Sequence, residues 1–186
     1  MHICVDMQRL FAEPTEWQTP WMDRVLPKVT ELVARRPERT IFTRFLPARR
    51  PGEGCGTWKR YYERWSGMTI EALGEPMIDL VPELARFAPP ATILDKSVYS
   101  PWFGTDLDRR LTSEIDTLIV SGGETDVCVL ATVLGAIDRG YRVIVATDAL
   151  CSSADETHDA SMTLFESRYG QQVETVTTAE ALSGWD

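Results

Sequence analysis

Apolar, largely β-branched runs recur at residues 2–6 (HICVD), 40–45 (TIFTRF), 91–95 (ATILD), 116–121 (DTLIVS), 141–147 (YRVIVAT) and 172–176 (QVETV). Each has strand length, and their continuous apolar character predicts burial on both faces, as in a parallel sheet. Amphipathic segments lie between them. Residues 22–36 place Val25, Leu26, Val29, Leu32 and Val33 on one helical face. Residues 126–139 do the same with Val127, Leu130, Leu134 and Ile137, and Gly140 is a natural stop. Residues 155–169 open on an acidic turn suited to a helix N-terminus. Strands alternating with helices predict a three-layer α/β/α, doubly wound fold, with residues 1–186 forming a single domain. The stretch from about 47 to 90 interrupts the pattern. It is rich in Gly, Pro and aromatics (Trp58, Tyr61, Tyr62, Trp65, Phe87), and short helices are expected near 57–65 and 79–87. Such an insertion lines or lids a pocket, or it is a plain layer packed on the sheet; the sequence leaves both open.

Composition narrows the function. The 186 residues carry a formal net charge of −9, which argues against a nucleic-acid partner or an anionic membrane surface. The first apolar run is broken at Asp6, so no secretory leader is expected. No apolar stretch approaches the roughly 20 residues of a membrane span. The four cysteines, Cys4, Cys55, Cys128 and Cys151, show neither C-x-x-C pairing nor zinc-like spacing. Free thiols and a cytoplasmic location are the expectation. Only His2 and His158 are present, so a three-histidine metal site is impossible.

In open α/β sheets, ligands bind beyond the carboxyl ends of the strands. The polar residues expected there are Asp6, Arg44, Asp95, Lys96, the run S-G-G-E-T-D-V-C-V at 121–129, and Asp148. Cys128 follows a strand, two glycines and a capping residue, which puts it in the first turn of a helix. Free N–H groups and the helix dipole there favour a thiolate and would hold an oxyanion. The competing view is a small buried hydrophobe. Asp6, at the end of the first strand, is either a general base toward the thiol or a turn cap. Lys96 is either the cation holding Asp6 and Cys128 in charged form or a solvated lysine at a strand end.

Three motifs, in this order, resemble the isochorismatase-like cysteine hydrolase superfamily, which includes nicotinamidases and N-carbamoylsarcosine amidohydrolase. V-D-M-Q at 5–8 resembles its first-strand motif, D-K-S-V-Y-S-P-W at 95–102 its lysine motif, and G-G-E-T-D-V-C-V at 122–129 its nucleophile motif. The resemblance implies a six-stranded parallel sheet of order 3-2-1-4-5-6 and a triad at Asp6, Lys96 and Cys128. It also implies a cis peptide between Gly123 and Glu124, with an oxyanion hole made by the amides of Thr125 or Glu124 and of Cys128. Members are usually oligomers, which implies a homodimer or homotetramer.

Two departures matter. Metal-dependent nicotinamidases carry an aspartate–histidine cluster after the second strand; here that place reads T-R-F-L-P, so neither a metal nor another cofactor is expected. True isochorismatases lack the cysteine, so Cys128 argues against vinyl-ether cleavage. Arg44 either grips a substrate carboxylate or carbonyl, or pairs with Glu63, Glu124 or another acid. Glu124 either contacts substrate or pairs with Arg44. Trp58, Tyr61, Trp65, Tyr99, Trp102 and Phe103 are candidate pocket walls; the alternative is core or subunit interface. His158 is expected on an exposed, capped helix start. Cys4, Cys55 and Cys151 are expected to be structural, with Cys151 the nearest competitor as nucleophile.

The expected activity is metal-independent hydrolysis of an amide, ureide or similar C–N bond in a small molecule, through a thioester on Cys128. The alternative is a non-catalytic relative that uses the same pocket to bind a metabolite or a protein partner. Dinucleotide binding is disfavoured, because no G-x-G-x-x-G follows the first strand.

Overall fold

A computed structural model describes residues 1–185. It contains a six-stranded parallel sheet of order β3-β2-β1-β4-β5-β6, the order expected. The strands are β1 (His2–Val5), β2 (Thr40–Phe45), β3 (Thr92–Lys96), β4 (Thr117–Gly123), β5 (Arg142–Cys151) and β6 (Val173–Val176). The helices are α1 (Arg9–Ala12), α2 (Met22–Arg35), α3 (Trp58–Arg64), α4 (Ile70–Leu73), α5 (Pro82–Ala85), α6 (Leu107–Arg110), α7 (Leu130–Asp138), α8 (Asp155–Thr163) and α9 (Thr178–Ser183). Among the described residues, no helix is long and apolar enough to cross a membrane.

Side chains alternate across each strand, and the two faces build separate cores. Ile3 and Val5 of β1, with Val143 and Val145 of β5, pack with Val129, Val133 and Ala136 of the segment leading through α7. Cys4 and Ala146 point the other way, into a core with Val25, Val29 and Leu32 of α2, Leu84 of α5 and Ala181 of α9. A third cluster joins the insertion to the sheet, with Tyr62 and Met68 packed against Leu10, Trp17 and Phe45.

Three expected boundaries moved. The glycines read as a turn after 121 belong to β4, which runs to Gly123. Gly122 has φ +106°, and a Cβ there would sit 2.1 Å from the Val5 carbonyl oxygen, so β1 and β4 meet as closely as they do only because a side chain is missing. β5 continues past 147 to Cys151 because its pairing with β4 resumes at Gly122–Leu150 and Gly123–Cys151 after an irregularity; Asp148 is therefore within a strand. The helix expected near 79–87 shortens to α5, which starts at Pro82, a residue whose fixed φ and missing N–H suit the first helical position.

Candidate active site

Asp6 directly follows β1 and is the one non-glycine residue with positive φ (50°) among the described residues. That conformation is disfavoured for a side chain with a Cβ and is held here by partners. The Asp6 amide donates to both the carbonyl and the Oγ1 of Thr43, each at 3.2 Å. Thr43 Oγ1 in turn donates to Asp6 Oδ1 at 2.5 Å. Gln8 locks the same corner: its Oε1 accepts from the Phe45 amide (2.6 Å), and its Nε2 donates to the carbonyls of Phe45 (3.0 Å) and Ile78 (2.7 Å).

Lys96 ends β3 and reaches back under the sheet's carboxyl edge. Its Nζ donates to Asp6 Oδ2 at 2.7 Å, the Val98 carbonyl at 3.2 Å and Cys128 Sγ at 3.4 Å, which uses all three ammonium protons. The Phe45 ring lies beneath it, 5.1 Å from Nζ to the centroid. Burial alone would lower the Lys96 pKa, but the neighbouring Asp6 and Cys128 outweigh it and hold the ammonium above its usual range. The structure thus brings together Asp6, Lys96 and Cys128 from the ends of three strands.

Cys128 lies in a π-helical turn (Thr125–Val129) that leads into α7. The helix start was expected to lower its pKa. The structure reverses the direction: burial first, then the charge of Asp6, push the thiol well above its usual value, against the opposing pull of Lys96. Cys128 Sγ thus faces the Lys96 Nζ–Asp6 Oδ2 pair. The Gly123–Glu124 peptide just before this turn is cis. Thr125 is pinned on two sides: its Oγ1 donates to the Cys151 carbonyl at 3.1 Å and lies 2.9 Å from His158 Nδ1. His158 is therefore not on an exposed cap; it is 9% exposed and packs on Trp21 at 5.1 Å between centroids. Asp126 binds the Ser152 and Thr157 hydroxyls at 2.5 and 2.6 Å. Cys151 is buried beneath Gly123, where a Cβ would come within 2.9 Å of its Sγ.

A cavity of about 220 Å³ opens on Cys128, with Phe11, Trp17, Phe45, Tyr61, Trp65 and Tyr99 among its walls and Glu16, Glu124 and Ser153 among its polar residues. Of the expected wall residues, Tyr61, Trp65 and Tyr99 are there. Trp58 stands behind them, with its ring centroid 5.1 Å from that of Tyr61 and 5.0 Å from that of Tyr99. Trp102 and Phe103 are elsewhere. Trp102 packs under α7, where its Nε1 donates to the Thr132 carbonyl at 2.9 Å and Gly135 makes room for the ring. Phe103 is 72% exposed beside another cleft.

Arg44 is also away from the cavity. Strand alternation turns Thr43 toward Asp6 and Arg44 to the opposite face. Arg44 and Asp95 are register partners in β2 and β3. The guanidinium binds both Asp95 oxygens (2.8 and 3.0 Å) and reaches Asp79 at 3.2 Å. It pairs with neither Glu63 nor Glu124, and its bound guanidinium does not fit a metal site after β2. Glu124 instead accepts from Thr19 Oγ1 at 3.2 Å and Ser153 Oγ at 3.1 Å, and burial raises its pKa. Thr43 was missed, although strand alternation opposite Arg44 was the signal that could have found it. Phe11 and Trp17 were missed as well, because the segment ahead of α2 has no periodic pattern.

Known proteins share this fold. A cysteine hydrolase from Pseudomonas syringae pv. phaseolicola, solved by crystallography, superposes with a TM-score of 0.83 at 27% identity, over 98% of this chain and 90% of that one. An uncharacterised isochorismatase family protein of Bacillus subtilis is 36% identical over 81 residues, 43% of this chain and 44% of its own. An N-carbamoylsarcosine amidase of an Arthrobacter species is 27% identical over 154 residues, 80% of this chain and 58% of its own. The chain thus spans about half the length of the curated relatives it matches. The sequence profile of the isochorismatase domain matches residues 1–181. With that profile running from β1 through the Cys128 turn to α9, the chain belongs to the isochorismatase family.

Proposed function

We propose that this protein is a metal-independent cysteine hydrolase of a small-molecule amide, ureide or similar C–N bond. The observation that carries the reading is Lys96 Nζ bridging Asp6 and Cys128 beneath the aromatic cavity. A neutral thiol is a poor nucleophile and needs a base as it attacks. In this reading Asp6 takes the Cys128 proton while Sγ adds to the substrate carbonyl. Backbone amides of Thr125 or Glu124 and of Cys128 hold the oxyanion. The tetrahedral intermediate collapses, the C–N bond breaks, and Asp6 returns the proton to the departing nitrogen. Asp6 then deprotonates water, which cleaves the thioester and restores the thiol. Lys96 remains protonated throughout and keeps both partners in place. The amidase relative supports the choice of a C–N bond, and the anchored Arg44 supports a mechanism without a metal.

The raised thiol pKa gives a second reading some footing, since a buried neutral thiol is ordinarily inert. In that reading the cavity binds a metabolite or partner without chemistry. Ammonia or amine release from a panel of amides, ureides and carbamoyl compounds separates the two, with and without Cys128→Ala and with and without a chelator. The proposal expects turnover that vanishes in the variant and survives chelation. Turnover surviving the substitution removes the cysteine mechanism, and no turnover of any compound favours binding alone.

A further inference from the structure

The charge of the cavity says which amides fit. Among the described residues lining it, the charged ones are Glu16 and Glu124. Lys96 lies behind Cys128, 3% exposed, with its protons committed to Asp6, Val98 and Cys128. Arg44, the strand-end cation of β2, is bound to Asp95 and Asp79 in a separate cleft. A carboxylate entering the cavity would therefore meet acidic groups and no free guanidinium.

The walls favour the opposite charge. Trp17 is the hub of an aromatic group, with ring centroids of Tyr61 at 5.7 Å, Phe45 at 6.0 Å, and Phe11 and Trp65 at 6.3 Å. Aromatic faces attract cations through their quadrupole, and desolvation strengthens the effect. Glu124 is anchored by Thr19 and Ser153, yet each carboxylate oxygen keeps acceptor capacity for a further partner. Aromatic walls closed by carboxylates are the arrangement that suits an alkylammonium or quaternary nitrogen.

We infer that the Cys128 cavity takes a small amide carrying a cationic nitrogen and rejects amides carrying a carboxylate, with Glu124 setting that preference. This rests on the Cys128 cavity being the substrate site of the proposed hydrolase. The cationic group sits among the aromatics and Glu124 and takes no part in bond breaking.

The test separates charge preference from chemistry. Binding of benzyltrimethylammonium and of phenylacetate is measured by titration calorimetry on wild type, Glu124→Gln and Cys128→Ala. The expected result is cation binding at least about tenfold tighter than anion binding in wild type and in Cys128→Ala, with the ratio falling severalfold in Glu124→Gln. Equal or tighter binding of phenylacetate overturns the inference, as does a ratio unchanged in Glu124→Gln. Hydrolysis of matched benzamides bearing a trimethylammonium or a carboxylate group is followed in parallel. Turnover through Cys128 without a charge preference sinks this inference and leaves the hydrolase reading; cation preference without any Cys128-dependent turnover does the reverse.

Discussion

The ammonium of Lys96 and the carboxylate of Asp6 lie 2.7 Å apart, and neither side chain is exposed. A buried pair of this kind adds little net stability over an apolar pair, but removing one partner strands a charge. Lys96→Met should therefore cost about 3–5 kcal/mol in urea unfolding, and the double change Asp6→Asn, Lys96→Met should cost clearly less than the sum of the single changes. Strict additivity would mean that the two groups do not depend on each other.

The same geometry sets the thiol. Because the Asp6 charge helps raise the Cys128 pKa, Asp6→Asn should shift iodoacetamide labelling of Cys128 to lower pH while abolishing turnover. Labelling is followed by peptide mass spectrometry across a pH series. A shift to higher pH would contradict the electrostatics described above.

Gly122 carries a backbone requirement. An alanine Cβ there would lie 2.1 Å from Val5 O and 2.8 Å from Val5 N, at φ +106°. Gly122→Ala should lower stability by several kcal/mol, about 3 or more, or prevent folding, because backbone atoms cannot move aside as a flexible side chain can. Thermal and urea unfolding check this. A loss below about 1 kcal/mol would show that β1 and β4 can separate at the site.

Acid sensitivity has an identifiable source in His2. Its ring bridges Ser121 Oγ (2.8 Å) and Thr40 Oγ1 (3.3 Å), and burial pushes its pKa from 6.5 down to about 3. The folded state therefore resists the proton that the unfolded chain accepts below pH 6.5. The penalty is absent above that pH and grows as pH falls toward 3, by up to about 1.4 kcal/mol per pH unit. The stability advantage of wild type over His2→Asn should shrink by about 2 kcal/mol between pH 7 and pH 5, measured by urea unfolding. A constant difference would mean that His2 is not buried as a neutral ring.

Arg44 supplies a control outside the cavity. Its pairing with Asp95 and Asp79 is partly exposed, the Arg44 side chain being 21% accessible. Arg44→Ala should change stability by no more than about 1 kcal/mol and turnover by less than about twofold. A large loss of turnover would place Arg44 in substrate binding after all.

Much of this architecture was legible in the sequence for physical reasons. Strands buried on both faces read as continuous apolar runs, so the sheet stood out, and Asp6, Lys96 and Cys128 stood out as polar residues at its carboxyl edge. What local pattern could not supply was direction and depth. Arg44 read either as a substrate contact or as half of an ion pair, and only its register partner Asp95 decides for the pair. Gly122 and Gly123 looked like a turn, though close packing against Val5 and Cys151 is what requires them. Trp102 and Phe103 are adjacent in sequence, yet one is core and the other exposed. Trp17 reaches the cavity from a segment without periodicity, and His158 finds Thr125 only through the tertiary fold.

The central claim is that Cys128 becomes acylated. The most direct measurement is rapid acid quench of wild-type protein turning over an amide, followed by mass spectrometry of the Cys128 peptide. The account predicts an adduct of the acyl mass on Cys128 in wild type and none on Cys4, Cys55 or Cys151, with both adduct and turnover missing in Cys128→Ala. Turnover of the same amide by Cys128→Ala, or an acyl adduct on Cys151 in its place, would contradict it.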